Sequence, residues 1–385
     1  MGRVKAAVVV EYAELAWPQV AELPRETPLL IPLGLETYDL GTVARRLRAE
    51  RIVQLPPVPY AFPCRAGHPL APMAVGKGLL RRVLQGVQRE LLAQGFRRVI
   101  FLDGHGVAGF LAGAGLRFLR QRVGATTAAP WPPDLSGRVV VVSLGHTEQH
   151  GHHLPTGTDT FIAAALADGL TAALPDDVVC LPVWPYGVST HTRQFPATLN
   201  LGGRTFEDLF LAVTGRLVRL GARMIYFSNA HGGNHSFLVN VVKLAGERWP
   251  EVFTATEWLH TTGPALESIR QSRRGGMGHG GELETSYLLH LRPDLVDMRR
   301  ATVETSFIST PNYYMDWIEG GRLVANPPWS DDTASGIYGD GTLGASEKGR
   351  RWLEAAVAER IESVREVREQ HRRRQARRAA APGRY

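Results

Sequence analysis

Residues 143–160, SLGHTEQHGHHLPTGTDT, carry four histidines, one glutamate and one aspartate within eighteen positions. No helix or strand needs that composition for packing, so these side chains point to chemistry. Imidazole with carboxylate and no sulfur is the donor set of hydrolytic Zn, Mn or Fe sites. Glu148 and His150 stand two apart, which sends both side chains to one side of an extended chain. Asp159 follows, and Thr158 or Asp159 is expected to cap a helix beginning at Phe161. Two further clusters offer similar donors: His231 in SNAHGGN, and His279, Glu282 and Glu284 in GHGGELETS. A carboxylate shared by two half-sites holds two divalent ions roughly 3.5–4 Å apart and activates a water between them. The neighbouring His146, His152, His191, His235 and His290 are expected to be structural or peripheral. Glu282 is expected at the surface or in a hydrogen bond, and Tyr313, Trp258 and Trp317 are candidates for the pocket wall or for packing.

These clusters act together only if the fold gathers them. Short β-branched runs recur at 7–10, 99–102, 139–144, 178–183 and 224–227, with helical-period segments at 79–94, 161–174, 206–220 and 348–365. This alternation predicts an α/β fold, a largely parallel sheet covered by helices on both faces. The runs at 139–144 and 224–227 each lead directly into a candidate cluster. Parallel sheets carry their functional loops at such strand ends.

The chain also repeats itself. LPPVPY at 55–60 matches LPVWPY at 181–186, and RVIFLDGHG at 98–106 matches MIYFSNAHG at 224–232, both at an offset of 126 residues. The offset holds without a gap over about fifty residues and pairs His105 with His231. Upstream, IPLGLETYDLGT stands where the second copy has VSLGHTEQHGHHLPTGTDT. Between the LG and LP pairs the first copy has twenty residues and the second thirty-five. The first copy therefore lacks most of the His and Asp content and is expected to be inert, with His105 alone and no carboxylate partner. The organisation expected is a degenerate copy at 1–123, a Pro/Ala/Thr-rich linker at 124–137, a catalytic unit at 138–365 and a basic tail at 366–385.

The second copy resembles the creatininase family of metal-dependent amidohydrolases. The resemblance rests on EQHGHHLPTGTD (148–159), PYGVSTHTRQFPATLNL (185–201), NAHGGN (229–234), GHGGELETS (278–286) and GDGTLGASEKG (339–349), in that order. It implies a three-layer α/β/α fold, a two-metal centre and hydrolysis of C–N bonds. By position, Glu148 and His231 would hold one metal, His150 the other, and Asp159 would bridge. His279 would be the acid/base residue, with Glu284 beside the metals. One position departs from the pattern. Creatinine-hydrolysing members carry a glutamate two residues after the motif histidine, ligating the second metal, whereas this chain has Gly233. Glu284 is then the candidate ligand, or else the residue that orients His279. The expected substrate is a small amide, lactam or formamide, with a peptide of cofactor or natural-product maturation as the alternative. The family's hexamers imply a homo-oligomer here, such as a trimer of two-copy chains.

Composition narrows the remaining classes. The apolar runs are too short to span a bilayer. The two cysteines, Cys64 and Cys180, have no ligand-spaced partner, which fits a reducing cytoplasm and no disulfide framework. Six of the seven net positive charges fall between Arg365 and Tyr385, where eight arginines meet two glutamates. No aromatics interleave with them, so a solvated helix end is favoured and nucleic acid is not the expected partner. No phosphate-binding glycine motif opens a helix, which counts against a nucleotide or sugar-phosphate binder.

Overall fold

The computed structural model describes residues 7–64, 67–125, 135–258, 264–318 and 320–380. Most of the linker expected at 124–137 and the last five residues of the chain lie outside them. The N-terminal half runs β1 (Val8–Glu11), α1 (Trp17–Glu22), β2 (Leu29–Leu33), α2 (Leu40–Leu47), β3 (Arg51–Gln54), α3 (Lys77–Ala93), β4 (Val99–Asp103), α4 (Val107–Phe110) and β5 (Phe118–Arg120). The C-terminal half begins with β6 (Val139–Leu144), α5 (Thr158–Ala173), β7 (Val178–Cys180), α6 (Gly203–Arg219), β8 (Met224–Asn229), α7 (His235–Arg248) and β9 (Phe253–Thr256). It ends with α8 (Pro264–Ile269), α9 (Glu282–Leu291), the two-residue strands β10 (Val303–Glu304) and β11 (Gly339–Asp340), and α10 (Ser346–Ala380).

Two parallel sheets result, ordered β1-β3-β2-β4-β5 and β7-β6-β8-β9. Apart from β1 the order is the same, and so is the register. Leu33 pairs with Asp103 and Leu144 with Asn229, while Leu33 bridges Val58 and Leu144 bridges Trp184. Asp103 and Asn229, like Val58 and Trp184, are 126 positions apart. So are the first and last residues of α3 and α6, both 17 residues long.

Strand periodicity sorts the side chains into layers. In β6, Val140, Val142 and Leu144 face one core, and Val139 and Val141 face another beneath α5 and α10. In β2, Leu29, Ile31 and Leu33 join the same core as Val140, while Leu30 packs with Val43 and Ala44 of α2. The apolar stripes of α3 (Leu80, Val83, Leu84, Val87, Leu91) and α6 (Phe206, Leu209, Phe210, Val213, Leu217) also enter that shared core. Each sheet is thus covered on both faces, and the middle layer serves both.

The basic segment expected as a separate tail at 366–385 is, in its described part, the end of α10. Glu369 pairs with Arg372 and Arg373 at 2.7 Å, the i,i+3 and i,i+4 contacts that support an exposed helix. Among the described residues no helix is long and apolar enough to cross a membrane.

Candidate metal centre

The loop after β6, the end of β8 and the start of α9 converge. Glu148, His150, Asp159, His231, His279 and Glu284 are all buried. Asp159 lies in the first turn of α5, because the helix begins at Thr158 after Gly157; neither Thr158 nor Asp159 is its cap. Its two oxygens face different partners. Oδ1 is 3.1 Å from His150 Nε2, and Oδ2 is 3.0 Å from His231 Nδ1. Glu148 Oε2 is 3.1 Å from the same His231 nitrogen, and Glu284 Oε2 is 3.6 Å from His150 Nε2. Two donor groups therefore share Asp159: Glu148 with His231, and His150 with Glu284.

The surroundings fix which atoms point inward. His231 Nε2 donates to the Val188 carbonyl at 3.0 Å, leaving Nδ1 toward the carboxylates. His150 Nδ1 donates to the Glu148 carbonyl at 3.0 Å, leaving Nε2 inward. Outer hydrogen bonds of this kind orient metal-ligating imidazoles. Glu148 Oε1 accepts from Ser189 and from Thr192, the latter at 2.9 Å, whereas Glu148 Oε2 and Asp159 Oδ2 are buried without a hydrogen bond. Carboxylate oxygens without a hydrogen bond opposite inward-pointing imidazole nitrogens are what a cation would satisfy.

Charge tells the same story. Burial opposes protonation of His231, but Glu148 and Asp159 outweigh it and hold the imidazole up at about 10. Burial likewise opposes protonation of His150, which Asp159 and Glu284 nevertheless hold well above its ordinary value. Burial would raise Glu148, yet His231 and His279 pull it well below the carboxylate range. Burial raises Glu284 despite His150. In the metal-free protein, protons on two imidazoles balance the buried carboxylates where cations would do so.

His279 sits across from these groups. Its Nε2 donates to the Gln149 carbonyl at 2.7 Å, and Nδ1 is 3.9 Å from Glu148 Oε2. Burial and the positive charge of His150 push its pKa down to about 3. A cleft of about 380 Å³ leads away from it, lined by His191, Trp258, Tyr313, Trp317, Trp329 and Tyr338 among others.

Several placements differ from the sequence expectation. His146 is not peripheral: its ring lies 4.5 Å from that of His231, and its Nδ1 accepts the Gly187 N–H at 2.7 Å. His191 stacks on Trp329 at 4.3 Å and faces Glu148. His152 and His235 do lie outside the centre, against Trp17 and Trp258. Glu282 is hydrogen-bonded but not at the surface: it is fully buried and accepts from Gln271 N, Ser272 N and Lys348. Ser189 and Thr192 were missed. Both lie inside the 185–201 motif, where a Ser-x-x-Thr spacing was the available signal.

The N-terminal half is not empty either. Glu36 Oε1 is 2.6 Å from His68 Nε2, and Glu36 Oε2 is 3.1 Å from His105 Nε2. His105 was expected to stand alone because the shorter first copy lacks most of the His and Asp content, and a register without gaps places Thr37, not Glu36, opposite Glu148.

A family model described as "Creatininase: Creatinine amidohydrolase" matches residues 133–364. The chain belongs to the creatininase family. A mycofactocin precursor peptide peptidase of Mycobacterium tuberculosis is 30% identical over 250 residues, covering 63% of this chain and 90% of that protein. A creatinine amidohydrolase of Pseudomonas putida is 27% identical over 245 residues, covering 59% and 89%. A solved structure described as creatininase Mn superposes with a TM-score of 0.51 at 25% identity, covering 60% of this chain and 91% of the other. With this family and these donor groups, the chain is a metal-dependent hydrolase acting on a C–N bond. Its two donor clusters fit a dinuclear Zn, Mn or Fe centre.

Proposed function

We propose that this chain is a dinuclear metallopeptidase, rather than a hydrolase of a small cyclic amide. The observation that carries the reading is Gly233. A Cβ at that position would collide with the Val188 carbonyl oxygen and stand 2.6 Å from His231 Nε2. The glutamate that creatinine-hydrolysing relatives are expected to carry there has no room. Glu284, on the His150 side, is the remaining carboxylate for the second ion. The long aromatic cleft and the 30% identity to a peptide peptidase support a peptide substrate.

In this reading Glu148, Asp159 and His231 hold one ion and His150, Asp159 and Glu284 the other. Two such cations would lower the pKa of a bound water and polarise the scissile carbonyl. The chain's own residues do the rest. Asp159 spaces the half-sites, and Ser189 and Thr192 fix Glu148 so that only Oε2 is free. His279 Nε2 is committed to the Gln149 carbonyl, so Nδ1, which faces Glu148, would accept the proton from the attacking water and pass it to the leaving nitrogen. Incubating the metal-loaded protein with a peptide library and with creatinine, lactams and formamides tests the reading by mass spectrometry. New peptide termini are expected. Hydrolysis confined to the small amides would overturn it.

A trimer of two-copy chains in the cytoplasm belongs to the same proposal. Equivalent helices α3 and α6 already pack against each other within one chain, as Arg82 on Asp208 at 2.6 Å shows. Sedimentation as a monomer at micromolar concentration would contradict it.

A further inference from the structure

The N-terminal half keeps donors of its own at the place equivalent to the metal centre. Glu36 follows β2 as Glu148 follows β6, and His105 follows β4 where His231 follows β8. The Glu36–His105 distance of 3.1 Å equals that of Glu148–His231. The long loop that carries His150 and Asp159 has no counterpart here. Its role passes to the segment after the Val58 bridge, which brings Cys64 and His68. The ligand atoms of Cys64, His68 and His105 lie within 4.8 Å of one another.

The two histidines are held differently. His68 Nδ1 accepts the Leu70 N–H at 3.1 Å, so its Nε2–H is committed to Glu36 Oε1. Ligating a cation through Nε2 would release that proton. His105 differs: its side chain is fully buried, one nitrogen faces Glu36 Oε2, and Nδ1 has no partner at all. A buried imidazole lone pair without a donor is costly unless something satisfies it. Gly34 makes the approach possible. At φ +99° it adopts a left-handed backbone, and a Cβ there would collide with Glu36 Oε2 and stand 2.8 Å from His105 Nε2.

We propose that the N-terminal half binds a divalent ion of the zinc class, with Cys64, His68 and His105 as ligands and Glu36 holding both imidazoles in place. A thiolate with imidazole selects Zn or Co over Mg or Ca. Bonds of about 2.0–2.3 Å require only a modest closure of donors already this near. The site is separate from the dinuclear centre, and the sulfur makes it distinguishable.

Titrating the full-length, metal-free protein with Co(II) and with Zn(II) tests this. Three ions per chain are expected, with a thiolate-to-cobalt charge-transfer band belonging to one of them. Cys64→Ser should abolish that band and lower the count to two, and His105→Ala should also lower it to two. Glu36→Gln should keep three, with the third bound about 10–100-fold more weakly. Absence of any thiolate band in the unmodified protein would overturn the proposal without recourse to a variant. A third ion retained by either Cys64→Ser or His105→Ala would overturn it too.

Discussion

β2 and β4 in the N-terminal half hold the same register as β6 and β8 in the C-terminal half, and both pairs present a histidine and a glutamate at their ends. Between the LG and LP pairs, however, the C-terminal half has thirty-five residues and the N-terminal half twenty. Part of that difference is in the helices, 16 residues in α5 against 8 in α2. Part is in the loop, 13 residues between β6 and α5 against 6 between β2 and α2. The longer loop places Glu148 and His150 and leads into α5 with Asp159. Backbone geometry is therefore enough to keep a carboxylate–imidazole pair. A bridging carboxylate needs the added loop.

The halves also depend on each other. Thr156, in that added loop, donates its hydroxyl to the Tyr12 carbonyl at 2.6 Å and its N–H to the Leu15 carbonyl at 2.8 Å. Gly157 N–H reaches the Ala13 carbonyl at 2.9 Å, and Thr156's own carbonyl takes the Glu148 N–H at 3.0 Å. The short segment between β1 and α1 thus holds the loop that holds the metal ligands. Because α3 and α6 share one core, cutting away the N-terminal half would expose that core as well as free the loop.

The largest effect is expected at the residue that most separates the halves. Asp159→Asn should empty both half-sites and abolish hydrolysis, and Glu148→Gln or His150→Ala should do the same through one half-site. Elemental analysis beside turnover measures this, and full occupancy in Asp159→Asn would remove Asp159 from the bridging position. Next comes His279→Ala, which should keep both ions yet lose roughly 10²–10⁴-fold in rate. Loss of metal in that variant would make His279 a ligand. A smaller change is expected at the contact between the halves. Thr156→Val removes one buried hydrogen bond, worth about 1 kcal/mol, and should weaken metal binding by several-fold with every ligand intact. Unaltered binding would show that the loop holds its own shape.

The pH dependence follows from the raised imidazoles. His231, at about 10, and His150, well above its ordinary value, carry protons at neutral pH in the metal-free protein. Ligation requires their neutral forms. Metal affinity should therefore rise as pH rises toward about 10 and fall as pH is lowered, with protons released on loading at neutral pH. Calorimetry in buffers of different ionisation enthalpy reads that release, and an affinity flat across neutral pH would contradict it.

Much of this was legible in the sequence, for local reasons. Strand runs and helical periods are short-range patterns, the repeat is read by matching short segments, and each donor cluster sits beside a strand end or helix start. What escaped is convergence across distance. Glu36 lies one position out of the repeat's register, and His68 comes from a segment with no matching histidine in the other half. Ser189 and Thr192 become partners of Glu148 only once the loop after β7 folds back. The basic stretch after 365 was read as a solvated helix end, and in its described part it is one, with α10 running on through the boundary expected at 365.

The central claim is that one carboxylate, Asp159, joins two ions in the C-terminal half. Anomalous diffraction from crystals of the metal-loaded protein tests it most directly. Two peaks roughly 3.5–4 Å apart should flank Asp159, one beside Glu148 and His231 and the other beside His150 and Glu284. A single peak there, or a pair that leaves Asp159 outside bonding distance of either, would contradict the account.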